Sequence, residues 1–148
     1  MFLKDKINKK NSLNNKNKKN FDIVYITQRP DRGGTEFLVR ELTSSLRKKG
    51  FNINTIYFFN PTRLTLNSNE HCLNLSGPRD IRAIWYIRKV LLNIIKSKKI
   101  IVHAHLTWPL YLLPFSTIGI KTLNFYTEHN THNKRRKLKF LKPIEKYI

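Results

Sequence analysis

Three groups of residues in the sequence are suited to binding or chemistry. A glycine pair, Gly33-Gly34, lies between a short apolar run and a helix-like segment. His103 and His105 lie two residues apart in a second apolar run, and a polar cluster at residues 127–132 follows a third. Glycines let a ligand approach the backbone closely, and imidazole, carboxylate and amide groups bind hydroxyls and phosphates.

The glycine pair precedes a predicted helix, whose first backbone N–H groups are unpaired and favour a phosphate. Its spacing matches neither the phosphate loop G-x-x-x-x-G-K-[ST] nor the dinucleotide motif G-x-G-x-x-G. A turn that binds nothing is the alternative interpretation of the pair.

The two histidines face the same side of a strand, since side chains two residues apart do so. Such a pair can bind a metal ion, or it can simply hydrogen-bond a neighbouring loop. No cysteine or acidic residue lies nearby in sequence, and the chain is too short for an eight-stranded barrel that begins with such a pair. We therefore predict no metal site.

Predicted strands alternate with predicted helices along the chain. The strands are residues 23–26, 53–59, 100–104 and 123–127, with a short edge strand at 72–75. The helices are residues 36–49, 80–96 and 110–118. The first should bury Leu38, Leu42 and Leu46, and the second should bury a wide face that includes Ile81 and Trp85. This alternation predicts an α/β fold with a doubly wound parallel sheet, in which ligands bind beyond the carboxyl ends of the strands.

The chain is strongly basic, with 29 Lys and Arg against nine Asp and Glu and a formal net charge of +20. This charge attracts anions such as nucleic acid, anionic lipid or phosphorylated substrates, although an A/T-rich genome also favours lysine. Residues 1–20 are predicted to be a flexible basic tail. Residues 134–142 mix basic and apolar side chains, which fits either an anionic membrane surface or a solvated helix face. No nucleic-acid-binding motif accompanies the charge, so we predict no specific nucleic acid partner.

Cys72 is the single cysteine. Residues 1–20 contain no apolar stretch of the length that a secretory signal needs, and the most apolar segment, residues 106–120, is too short to span a bilayer. The sequence therefore predicts a cytoplasmic protein, with peripheral attachment to the inner face of the plasma membrane as an added hypothesis.

Residues 21–148 resemble the N-terminal, acceptor-binding domain of the large retaining glycosyltransferase family usually numbered 4, which has the two-domain GT-B fold. The resemblance rests on three segments. The first contains Ile23-Val-Tyr-Ile-Thr, Gly33-Gly-Thr-Glu-Phe-Leu-Val-Arg-Glu-Leu and Leu46-Arg-Lys-Lys-Gly-Phe. The others are Ile101-Val-His-Ala-His-Leu and Tyr126-Thr-Glu-His-Asn-Thr-His-Asn-Lys-Arg-Arg.

The resemblance implies a Rossmann-like domain that is incomplete as the N-terminal half of a GT-B enzyme, with the C-terminal donor-binding domain absent. It implies transfer of a sugar from a nucleotide-sugar donor to a glycan or lipid-linked acceptor, in cell-surface polysaccharide or glycolipid synthesis. The nucleotide sugar is a cosubstrate, and neither a cofactor nor a metal is expected. A separate C-terminal glycosyltransferase domain is an expected partner, and the chain alone is expected to be inactive.

The resemblance also assigns roles to individual residues. His129 matches the histidine beside the reacting sugar and is the predicted catalytic residue. The residues predicted to bind the acceptor or the donor diphosphate are Gly33, Gly34, Thr35, His105, Glu128 and Asn130. The alternative hypothesis is a catalytically inactive module that binds anionic membranes or nucleic acid.

Overall fold

The structure is a computed structural model that describes residues 21–31, 33–95 and 99–129. Its elements in chain order are β1 (Phe21–Thr27), α1 (Gly34–Lys48), β2 (Ile53–Tyr57), β3 (Glu70–Cys72), α2 (Ala83–Ile94), β4 (Lys99–His105), α3 (Thr107–Thr117) and β5 (Thr122–Thr127). The predicted basic tail at 1–20 and the basic segment at 134–142 lie outside the described residues.

The five strands form one parallel sheet in the order β3-β2-β1-β4-β5. Ile23 of β1 pairs with Ile53 of β2 on one side and with Ile101 of β4 on the other, so β1 lies at the centre, as predicted. The strand order reverses between β1 and β4, and in sheets of this kind the crevice at that point is where ligands bind.

Helices cover the sheet on both faces. Because side chains along a strand alternate between faces, β1 contributes Val24 and Ile26 to one core and Ile23 and Tyr25 to the other. The first core contains buried residues of α2 and α3, and the second contains Val39 of α1. The predicted α/β, Rossmann-like doubly wound fold is therefore confirmed.

The buried faces of two helices differ in part from the predicted ones. In α1 the buried positions are Thr35, Val39 and Thr43. Leu42 and Leu46 are partly buried against the second core, as predicted, whereas Leu38 is 41% exposed. The predicted face of α2 was wrong at Ile81 and Trp85, which are 73% and 72% exposed. The reason lies before the helix, where the Asp80 carboxylate accepts hydrogen bonds from the backbone N–H groups of Ser76 and Arg82. This turn delays the start of α2 to Ala83 and leaves Ile81 outside the helix. The buried stripe is Ala83, Ile87 and Leu91, and the other predicted residues of this face are partly buried against the same core, namely Ile84, Val90, Ile94 and Ile95.

The edge strand β3 was predicted at residues 72–75 and is displaced toward the N-terminus, at Glu70–Cys72, so that only Cys72 is common to both. The proline-containing helix was also predicted correctly in type, and α3 carries Pro114 in its interior. Across the described ranges, no helix combines the length and the apolar character needed to cross a membrane.

Candidate functional site

The loop after β1 is held to its surroundings by arginine side chains. Arg29 Nε lies 3.1 Å from Asp31 Oδ1, and this pairing holds the pKa of the Asp31 carboxyl below its usual range. The Arg40 guanidinium of α1 donates a hydrogen bond to the carbonyl oxygen of Pro30. The loop is thus fixed to α1 at the carboxyl edge of the sheet, which is the edge where ligands bind.

Gly33 and Gly34 occupy different environments at the start of α1. Gly33 has φ 100° and ψ 161°, a backbone conformation that is essentially restricted to glycine, and a Cβ atom there would collide with Glu36 Oε2. The Glu36 carboxyl fills the space beside Gly33, and burial raises its pKa. Gly34 is the first residue of the helix, and a Cβ atom added to it would meet nothing within 4 Å.

This difference predicts opposite effects for two neighbouring substitutions. Gly33→Ala is expected to lower the free energy of unfolding by about 1–3 kcal/mol, because alanine must adopt a strained backbone. Gly34→Ala is expected to leave stability unchanged or to raise it by up to about 1 kcal/mol, since alanine favours the helix. Urea denaturation of both variants measures the difference. Equal losses at the two positions would contradict the geometry described for this loop.

Three histidine rings form a stacked row at the carboxyl edge of β4 and β5. The rings of His103 and His105 stack with centroids 4.2 Å apart, which confirms that they face the same side. His105 Nδ1 hydrogen-bonds His129 Nε2 at 3.0 Å, and the centroids of these two rings are 5.3 Å apart. His103 Nε2 lies 2.7 Å from Thr127 Oγ1. Both bonds join β4 to the end of β5, so the row is fixed from two strands.

Burial makes the two β4 histidines poor bases. His105 is 1% exposed, and burial, with smaller contributions from His103 and His129, lowers its pKa to about 3. Burial and the neighbouring His129 also lower the pKa of His103. His105 is therefore neutral at pH 7, and its Nε2 atom is buried without a hydrogen-bond partner. The neutral His105 ring can fix the orientation of His129, which is only partly buried.

Two features of this edge were not found from the sequence. Tyr25 of β1 packs beside the histidines, with its ring centroid 5.7 Å from that of His103 and 5.4 Å from that of His105. Tyr25 lies beside the histidines because the register of β1 against β4 pairs it with His103. The sequence could have indicated this contact through strand alternation, once β1 and β4 were taken as neighbours. Leu106, directly after His105, has φ 72° and ψ 165°. Such strain in a non-glycine residue concentrates at functional sites.

The structure brings together only some of the predicted site residues. His105 and His129 are in contact, and the Gly33-Gly34 loop follows β1, the strand next to β4. Thr35 lies on the buried face of α1, so only its backbone is suited to a ligand. The Glu128 carboxylate accepts a hydrogen bond of 2.7 Å from the Tyr126 hydroxyl. Asn130 lies outside the described residues.

Neither a metal-binding group nor a match to a known protein identifies the function of this site. In the part of the chain that the structure describes, there is no group of three or more His, Cys, Asp or Glu side chains that could hold a metal ion. No protein-family model matches the sequence, and no curated protein matches it. The assignment of a function therefore depends on the geometry of the site and on the sequence motifs.

Proposed function

We propose that this chain is the acceptor-binding N-terminal part of a retaining glycosyltransferase that uses a nucleotide-sugar donor. The observation that carries the proposal is the hydrogen bond between His105 and His129 at the carboxyl edge, beside the point where strand order reverses. A buried neutral imidazole that orients a partly exposed one is suited to holding a sugar hydroxyl. Proton transfer is not required of either ring.

In the proposed mechanism, His129 hydrogen-bonds the reacting sugar and keeps its ring in place. Catalysis of this kind depends on orientation of the acceptor hydroxyl and on stabilisation of the departing diphosphate. His105 is a positioning residue in this scheme, since its ring is buried and bonds His129. The strained backbone at Leu106 lies at the same edge and is consistent with a ligand site there.

The donor diphosphate is proposed to approach the start of α1 at Gly34. The Glu36 carboxylate fills the space beside Gly33, whereas the space beside Gly34 is open. The N–H groups of the first helical turn have no partner within the helix and favour an anion at that position, although the Glu36 carboxyl accepts a hydrogen bond from its own backbone N–H. The nucleotide sugar is thus expected to be shared between this loop and a donor-binding domain.

The acceptor is proposed to be a glycan or a lipid-linked glycan at the inner face of the plasma membrane. The net charge of +20 supports attraction to anionic lipid, worth about 1 kcal/mol for each well-placed cation. The basic segments that motivate membrane attachment lie outside the described residues, so this part of the proposal rests on the sequence alone.

A chimera tests the proposed function. The chain is fused in front of the donor-binding domain of a retaining glycosyltransferase and assayed with radiolabelled nucleotide sugars and a panel of glycan and lipid-linked acceptors. We expect transfer with retained anomeric configuration by the chimera. The 148-residue chain without the added domain is expected to give none, because in the proposed enzyme part of the groups that stabilise the transition state belong to the donor-binding domain. A folded chimera that transfers no sugar to any acceptor would contradict the proposal.

A further inference from the structure

A pocket lies on the α1 face of the sheet, between α1, the end of β2 and the residues before β3. It has a volume of about 480 Å³. One side of α1 lines it with Arg40, Thr43, Ser44, Arg47 and Lys48, a spacing that places all five on one helix face. Tyr57 and Glu70 line the opposite side. The pocket contains none of the three histidines and neither of the two glycines. It adjoins the loop after β1 at Pro30, to whose carbonyl oxygen the Arg40 guanidinium donates a hydrogen bond.

The pocket has more positive than negative charge. Arg40, Arg47 and Lys48 face a single acidic side chain, Glu70. Both oxygens of that carboxylate already accept hydrogen bonds. Oε1 accepts one of 3.0 Å from the Tyr57 hydroxyl, and Oε2 accepts one of 2.8 Å from the backbone N–H of Asn67. Within residues 21–31, 33–95 and 99–129, no ion pair involves any of the three cations.

Several polar groups at the pocket have no partner in the structure. Arg47 donates one hydrogen bond of 2.9 Å from Nη2 to the carbonyl oxygen of Ile53, but its Nε atom is buried without a partner. Thr43 is 6% exposed, and its Oγ1 atom is also buried without a partner. Burial, together with the adjacent Glu70, raises the pKa of the Tyr57 phenol, so its hydroxyl keeps its proton. Because these two unpartnered atoms are buried, the donors that a ligand in the pocket could reach are those of Arg40, Ser44, Arg47 and Lys48.

We propose that this pocket binds a phosphate monoester group. A guanidinium pairs with two phosphate oxygens at once, and the Lys48 ammonium and the Ser44 hydroxyl supply further donors beside it. A phosphate monoester can come from a soluble metabolite or from a lipid head group, and both present the same dianion to the pocket. The proposal does not depend on glycosyl transfer.

Binding by the full chain tests the proposal at fixed ionic strength. The probes are glycerol 3-phosphate, followed by calorimetry, and vesicles that contain phosphatidic acid, followed by co-sedimentation. Arg47→Gln is expected to weaken binding about tenfold or more, as loss of a charged hydrogen bond does. Lys48→Gln is expected to weaken it severalfold. Lys49→Gln removes the same charge from the next residue, which does not line the pocket, and should leave the affinity unchanged.

The variants separate the possible outcomes. Lys48→Gln leaves the bond from Arg47 to Ile53 intact, so it tests the pocket even if Arg47→Gln unfolds the chain. If the pocket variants, but not Lys49→Gln, weaken binding of glycerol 3-phosphate and not of vesicles, the site binds a soluble ligand. If they weaken binding of vesicles and not of glycerol 3-phosphate, the site binds a lipid head group. Equal losses in all three variants would show diffuse charge attraction and overturn the proposal. Failure to bind either probe would overturn it as well.

Discussion

His129→Ala is expected to lower kcat/KM of the chimera by about 10²-fold or more, the loss seen when a single polar group that stabilises a transition state is removed. The substitution also removes the hydrogen-bond partner of His105 Nδ1, in a ring whose Nε2 atom is already unpartnered. The free energy of unfolding should therefore also fall, by about 1–3 kcal/mol. Activity loss alone thus does not distinguish a ligand-binding His129 from a structural one.

A second variant makes that distinction. His129→Gln retains an amide that can hydrogen-bond His105, so stability should be largely restored while kcat/KM stays low. A His129→Ala chimera that loses stability but keeps its kcat/KM would show that His129 is structural. His71→Ala serves as a control, because His71 lies on the edge strand β3 beside Asn54, far in strand order from β4. It should change kcat/KM by less than about twofold.

The protein is expected to lose stability as the pH falls below about 6.5, chiefly through His105. Its pKa is about 3 in the folded chain against 6.5 for a free imidazole, so the unfolded chain binds more protons between these values. Stability from the neutral buried ring is therefore full above pH 6.5 and declines as the pH falls toward 3. The loss amounts to roughly 1.5–2 kcal/mol between pH 6.5 and 5, and to roughly 4 kcal/mol by pH 3.

Urea denaturation between pH 6.5 and 5 measures this loss. Carboxylates whose pKa is depressed, such as Asp80 and Asp31, lose their contributions at lower pH and do not enter this window. His103 and His71 have lowered pKa values and act in the same direction as His105. His105→Gln should therefore flatten the pH dependence without abolishing it. An unchanged slope in that variant would contradict the assignment to His105.

The sequence predicted the fold well because the apolar runs and the helical periodicity were strong and local. Residues 23–26 read as a buried strand and lie in the central strand β1, and the alternation of strands and helices predicted a parallel sheet. Helix faces were less predictable. Asp80 sets the start of α2 through hydrogen bonds to backbone groups, which leaves Ile81 before the helix, and Trp85 is exposed although most of the predicted apolar face packs on the core.

The candidate site was predictable only in part, because its contacts join distant segments. Strand alternation was enough to place His103 and His105 on one side. The bond from His105 to His129 depends on the pairing of β4 with β5, and the position of Tyr25 depends on the register of β1 against β4. The α1 pocket is formed by one helix face and residues before β3, and no local motif marks it.

The most direct test of the account is the location of ligand binding on the chain. We would record NMR spectra of the ¹⁵N-labelled 148-residue protein during titration with nucleotide sugars and a panel of oligosaccharides at millimolar concentration. The account predicts that perturbations concentrate at Gly33, Gly34, Leu106 and Glu128 and at the His129 imidazole. Perturbations confined to the α1 pocket or to α2, or none with any ligand of the panel, would contradict it.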